Sequence, residues 1–330
     1  MRRSLLIHPD ELSKKWVDRL KEAGIQVIAL HPPGGSRTDE MDCRMDDECM
    51  MKIGMVSSAY TRFGEERYLK MKEHGYSCVD YDMTDTDIFP YSCSEEEMIA
   101  GLLKEKALAE AAGIEFSQVH GPWRYPPTDD TKEKREVRLG EMQKSIRATA
   151  MLGCKNWVVH PIMPYGVGEK DTPESDKTWE LNVDFMSKLL ITARECDVTI
   201  CLENMPFVNF TIAAPDKILE FVQLMNDDHF KICLDTGHVA VFPECNLADV
   251  VRKLGKEIRV LHVHDNNGKS DLHQLPYFGV IDWEAFYAAL MDIGYEGCFS
   301  LESKIPKALP GDLYEELCRF QVRMVKELCR

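Results

Sequence analysis

The sequence predicts an α/β protein: a (β/α)8 TIM barrel over residues 51–330, preceded by an N-terminal βαβ extension over residues 1–50. Two observations carry this reading. From Met51 onward a short β-branched run followed by a longer stretch of helical periodicity recurs eight times. The strand runs are apolar almost throughout, as strands buried on both faces of a parallel sheet must be. An open doubly wound sheet is the alternative. Against it, no G-x-G-x-x-G follows the first strand, and polar residues gather at the C-terminal ends of most strands instead of at one switch point.

The strand runs fall at 52–57, 76–82, 114–120, 155–160, 198–203, 230–235, 258–264 and 297–302, each followed by a helical pattern. Gly75, Gly113, Gly153 and Gly294 stand where a left-handed residue lets the chain leave a helix and enter the next strand. Ahead of the barrel, residues 4–7 read as a strand, 11–23 as a helix and 25–31 as a second strand, closed by Pro32-Pro33-Gly34-Gly35. Residues 18–30 parallel residues 68–80, so the extension reads as a second copy of the barrel's first unit. One such unit cannot bury its own apolar face. It is expected to pack on the barrel, on a second copy of the chain in a homo-oligomer or on a partner subunit, with the acidic, Met-rich residues 37–50 as linker.

Composition narrows the function. The formal net charge of −16 disfavours nucleic acid as a partner, because a phosphate backbone needs a basic surface. No apolar run is long enough to span a bilayer, so no membrane association is expected. His8, Pro9, Asp10 and Glu11 interrupt the apolar stretch at the start, which does not read as a signal peptide and gives a cytoplasmic expectation. The 12 cysteines form no C-x-x-C and mostly sit in strand or helix patterns, as reduced core thiols do.

In a parallel barrel the C-terminal strand ends share one mouth, so residues distant in sequence become neighbours there. The third to eighth strands end in His120, His160, Glu203, Asp235, the pair His262-Val-His264, and Glu302. One such residue means little, since a strand-end acid often caps the next helix. Six in succession suggest a metal site. Glu203, Asp235, His264 and Glu302 offer mostly hard oxygen donors, which suit Mn²⁺ or Mg²⁺, with Zn²⁺ or Co²⁺ also admissible. Without a cation those carboxylates would repel one another. Asp235-Thr-Gly-His238 and Asp271-Leu-His273 point at the same mouth, although Asp235 reads equally as a helix cap. Lys304, two residues past Glu302, either faces this mouth or is an exposed loop lysine. Trp123, Tyr125, Tyr165 and Phe207 in the flanking loops suit stacking on a sugar ring, or simply pack at the rim.

These motifs resemble the xylose isomerase-like barrel superfamily: Gln-Val-His120-Gly-Pro, Val-Val-His160-Pro, Leu-Glu203-Asn204, Asp235-Thr-Gly-His238, His262-Val-His264-Asp265-Asn266, Asp271-x-His273-x-x-Pro276 and Leu-Glu302. The superfamily includes sugar-phosphate isomerases, ketose 3-epimerases, inosose dehydratase and endonuclease IV, and the resemblance spans residues 51–330. It implies one divalent ion on Glu203, Asp235, His264 and Glu302, with Mn²⁺ foremost, and His238 as a substrate-binding residue. His120, His160, Trp123, Lys304, Asp271 and His273 complete the candidate substrate-binding set. The implied activity is isomerase or epimerase chemistry on a small carbohydrate. The ion chelates a carbonyl and an adjacent hydroxyl, and Glu203 and Glu302, on opposite sides, remove and return the proton. Dehydratase or lyase action on an oxidised sugar or inosose, including C-glycoside cleavage, uses the same groups. So does no turnover at all, in a sugar-binding barrel. One departure from the ketose 3-epimerases is Ser270, where they carry an Arg six residues after the metal His. The nine-residue set His120, His160, Glu203, Asp235, His238, His264, Asp271, His273 and Glu302 also resembles the trinuclear zinc pattern of endonuclease IV. Against that reading, the loops after the third to fifth strands carry only Arg124 and Lys170 as cations.

Overall fold

The computed structural model describes residues 3–7, 25–29, 51–127 and 129–330, in two units, Met1–Glu48 and Cys49–Arg330. In the first unit, β1 (Arg3–Ile7) pairs in parallel with β2 (Ile25–Ala29), with Arg3 opposite Ile25 and Ile7 opposite Ala29. Parallel pairing requires a crossover between the two strands. The helix expected over residues 11–23 and the linker over 37–50 lie outside the described residues.

The second unit is the barrel. Its strands are β3 (Lys52–Val56), β4 (Cys78–Asp82), β5 (Glu115–His120), β6 (Asn156–Val159), β7 (Thr199–Glu203), β8 (Phe230–Asp235), β9 (Ile258–His262) and β10 (Cys298–Leu301). They lie side by side in the order β10-β3-β4-β5-β6-β7-β8-β9, every ladder parallel. A bridge between Val263 and Leu301 closes the circle: Val263 N–H donates to Ser300 O at 2.8 Å and Glu302 N–H to Val263 O at 3.0 Å. The strands β6, β9 and β10 end short of their runs in the sequence, so His160, His264 and Glu302 lie just past the paired strands.

The crossovers are α1 (Arg67–His74), α2 (Glu95–Ala112), α3 (Lys132–Met151), α4 (Glu174–Glu195), α5 (Pro215–Met225), the short α6 (Thr236–Ala240), α7 (Leu247–Leu254), α8 (Trp283–Asp292) and α9 (Gly311–Leu328). Local chemistry sets their ends. Ser94 forms a capping box with Glu97 at the start of α2, and the four turn glycines all take the positive φ expected of them, from 65° to 98°. The first crossover departs from a single helix: a 3-10 segment over Ser57–Glu66 precedes α1, with Gly64 inside it at φ 56°. Inside the barrel Val158, Cys201, Cys233 and Val260 form a small apolar plug beneath the mouth. The buried cysteines Cys78, Cys154, Cys201, Cys233, Cys298 and Cys318 are free thiols. Among the described residues no helix is long and apolar enough to cross a membrane.

Candidate metal and substrate site

Strands carry most of the site. His120, Glu203, Asp235 and His262 close β5, β7, β8 and β9, while His160 and Glu302 follow β6 and β10 directly. One donor atom each from Glu203, Asp235, His262 and Glu302 lies within 4.8 Å of all the others. The imidazole in this quartet is the first His of His262-Val-His264, whereas the sequence expectation named the second. His262 Nδ1 stands 3.1 Å from Glu203 Oε1 and 3.6 Å from Glu302 Oε2. His264 faces the neighbouring group: its Nε2 is 3.0 Å from Asp235 Oδ2 and 3.7 Å from Asp271 Oδ1, and its ring stacks on His273 at 4.2 Å. Two residues apart, at the end of β9 and in its extended continuation, the two imidazoles fall on the same face of the chain. Only depth separates them, and no local pattern encodes depth.

Further triads overlap the quartet: His120 with Glu203 and His262, Asp235 with His238 and His264, and His264 with His273 and Glu302. His160 Nε2 meets Glu203 Oε2 at 2.9 Å, and His238 Nε2 meets Asp271 Oδ2 at 3.5 Å. The expected residues thus converge on one basin, a cavity of about 420 Å³ that Trp123, Lys304, Lys307, Ser58, Thr84 and Phe207 also line. That volume suits a small-molecule ligand. Asp235 serves both readings offered for it: its Oδ1 accepts the His238 N–H at 2.7 Å as the cap of α6, and its Oδ2 lies 3.0 Å from His264 Nε2 within the donor cluster. Gly237 of the same motif is required by packing, because a Cβ there would sit 2.0 Å from the His264 ring.

Beneath the quartet lies a layer that the sequence did not announce. Asp80 Oδ2, on β4, is 2.9 Å from His262 Nε2, and Gln118 Nε2 donates to the same oxygen at 3.1 Å and to Leu261 O at 3.2 Å. A carboxylate on the far nitrogen of an imidazole fixes its tautomer and aims the near nitrogen at the basin. A charged residue amid the apolar run of β4 was the available signal. Asn204 braces Asp235 by exchanging two bonds with its backbone, at 2.8 and 3.0 Å, and its carbonyl accepts from His238 Nδ1 at 2.7 Å. Asp265 anchors the loop that carries Asp271 and His273. Its carboxylate accepts from the N–H groups of Gly279, Val280 and Ile281 and from Trp283 Nε1, at 3.0 to 3.3 Å.

Burial alone would push the Glu203 carboxyl up, but the imidazoles of His262 and His160 outweigh it and hold the group well below its ordinary range. Asp235 is likewise lowered, burial being overcome by His238 and His264. Burial lifts Glu302 above the usual carboxylate value, against the pull of His262 and His273. Burial also drives His160 down to about 4. His238 goes the other way: burial opposes its charge, yet Asp235, Asp271 and Glu203 raise it to about 10. Protons on imidazole therefore balance carboxylates here, a place a cation could take.

The donor set fits a divalent ion. His262 Nδ1 is buried and lies close to Glu203 Oε1, yet has no hydrogen-bond partner, and Asp271 Oδ1 is similarly buried and unpartnered. A buried imidazole nitrogen left without a hydrogen-bond partner inside a cluster of carboxylates is a donor that a bound cation could take. Three carboxylates and one imidazole in the quartet favour a hard ion.

Fold and basin together define a parallel α/β barrel with a metal-competent centre in its C-terminal mouth. The chain belongs to the xylose isomerase-like TIM barrel family, whose model matches residues 69–324. It is 28% identical over 158 residues to a D-psicose 3-epimerase of Enterocloster bolteae, covering 44% of this chain and 50% of that one. A D-psicose 3-epimerase of Ruminiclostridium cellulolyticum is 26% identical over 204 residues, 60% of this chain and 66% of the relative. The matches thus span half to about two thirds of these relatives' lengths. Among solved structures, a D-tagatose 3-epimerase-like protein superposes with a TM-score of 0.65 at 25% identity, covering 84% of this chain and 99% of that one.

Proposed function

We propose that this chain is a divalent-metal-dependent sugar epimerase or isomerase that transfers a proton beside a carbonyl. The observation that carries the reading is the quartet Glu203, Asp235, His262 and Glu302, its donor atoms within 4.8 Å of one another, with Glu203 and Glu302 on the wall of a cavity and Asp235 and His262 buried behind them. The relatives named as 3-epimerases support the substrate class. A divalent ion on these residues, Mn²⁺ by donor chemistry, would polarise a carbonyl and acidify the adjacent C–H. Glu203 and Glu302 enter the basin from β7 and β10, so one carboxyl can take the proton on one face of the sugar while the other returns a proton on the opposite face. His238, held by Asn204 and Asp271, is placed to hydrogen-bond a sugar hydroxyl, and Trp123 covers the basin from the side.

The test is incubation of the Mn²⁺-loaded protein with a panel of ketoses in D₂O. Deuterium on the carbon beside the carbonyl is the expected result. Absence of exchange with every ketose under Mn²⁺, Co²⁺, Mg²⁺ and Zn²⁺ would reject the reading. A second reading has an observation of its own: the overlapping triads offer enough donors for three ions, as metal-dependent phosphodiester cleavage uses. Elemental analysis separates the two. About one ion per chain supports the epimerase, and three zinc ions with cleavage of abasic DNA would replace it.

A further inference from the structure

The basin does not end at the metal quartet. Trp123 packs edge-on against His160 at 4.3 Å, Tyr125 lies 6.5 Å further along, and Tyr125 stacks on Phe207 at 5.9 Å with only 18° between the rings. Trp123 and Phe207 line the cavity, and Tyr125 continues their surface outward with 64% of its area exposed. Tyr165 and Val208, 45% and 43% exposed, lie in the loops after β6 and β7 that flank the same rim. This is a stepped aromatic shelf continuous with the basin, with Trp123 tilted 42° to Tyr125. The guanidinium next to Tyr125 in the chain is engaged elsewhere: Arg124 Nη2 donates to Thr86 Oγ1 at 2.7 Å and to Glu141 Oε2 at 3.4 Å. A shelf of ring faces with its neighbouring guanidinium already paired is suited to a neutral ring and offers little to a phosphate or carboxylate.

We infer that the substrate is longer than one sugar: a ketose or oxidised sugar joined to a second, uncharged ring, glycosyl or aryl, which stacks on Tyr125 and Phe207 while the first ring occupies the metal basin. The inference rests on the reading of the basin as a metal-dependent sugar site. Both kinds of second ring present an apolar face to an aromatic one, and the experiment separates them.

Binding to the Mn²⁺-loaded full chain is measured by calorimetry for D-fructose, for the glucosyl ketoses turanose, maltulose and isomaltulose, which carry the second ring on O3, O4 and O6, and for 6-O-benzyl-D-fructose. At least one extended ketose should bind about tenfold tighter than D-fructose. Tyr125→Ala, at an exposed position that the fold does not need, should erase that advantage and leave the D-fructose affinity unchanged. A gain confined to the glucosyl or to the benzyl compounds identifies the ring. If D-fructose binds and every extended ketose binds no tighter, or Tyr125→Ala weakens all ligands alike, this inference falls and the epimerase reading stands. If none of the ketoses binds, both fall. A change of oligomeric state in Tyr125→Ala with all affinities unchanged would make the shelf a subunit contact and overturn the inference.

Discussion

The two sides of the basin are built differently. On one side Glu203, Asp235 and His262 close strands, their side chains 0 to 2% exposed, and each is braced from behind by Asn204, Asp80 or a neighbouring imidazole. On the other, Asp271 and His273 ride a long loop with side chains 29% and 15% exposed, and His273 itself sits at φ 50°. A strand end inherits its position from the whole ladder. A loop residue has only its anchors. The strand side is therefore suited to hold an ion in fixed geometry, and the loop side to respond to what occupies the cavity.

The largest effect should come from the strand side. Glu203→Gln keeps an oxygen donor but removes the ionised carboxylate, so proton exchange with D₂O should fall by about 10²–10⁴-fold while circular dichroism stays unchanged. Exchange at the wild-type rate would remove Glu203 from the proton-transfer role. Next is Asp80→Asn, which touches no substrate. It should weaken Mn²⁺ binding by about 10–100-fold in a direct titration, because His262 loses the partner that aims it. Unchanged affinity would show that the ladder alone orients the ring.

On the loop side the anchor should matter more than the tip. Asp265→Ala leaves five donors, the N–H groups of Asn266, Gly279, Val280 and Ile281 and Trp283 Nε1, without their carboxylate, at about 1–3 kcal/mol for each one that stays buried and unsatisfied. The loop should then become a protease-sensitive segment with a raised substrate KM, while metal affinity moves little. Equal losses in metal and substrate binding would erase the contrast between the two sides. The smallest effect concerns a histidine outside the cavity lining. Burial holds His74 below its ordinary value, against the pull of Glu315. The unfolded chain binds a proton below about pH 6.5 that the folded chain refuses, so this contribution to stability is intact above about pH 6.5 and is lost as pH falls beneath it. Urea midpoints at pH 7.5 and 5.5 should show a smaller drop for His74→Gln than for the parent chain.

The barrel was legible because eight apolar runs with regular spacing admit few topologies, and the strand-end donors were legible because parallel strands deliver their ends to one mouth. What escaped was depth and support. His262 and His264 share a face, so the pattern offered both and the geometry divided them between two groups. Asp80 belongs to β4, which slips register against β5 between Val79 and Asp80, and its partner His262 is 182 residues away. A contact across the barrel interior leaves no trace in local periodicity. Asp265 and Asn204 stood in quoted motifs, but their work is to hold backbone, which residue type alone does not reveal.

The barrel's closing bridge, between Val263 and Leu301, falls at the level of the quartet. His262 is the last residue of β9 and Glu302 the first after β10, with Nδ1 and Oε2 3.6 Å apart across that seam. An ion held by both would act as a rivet through the two edges of a rolled sheet, and its binding energy would become hoop strength. Stripped of metal, the cylinder has one weakest line along which to breathe, and the amides of Val263 and Glu302 are where hydrogen exchange should quicken first.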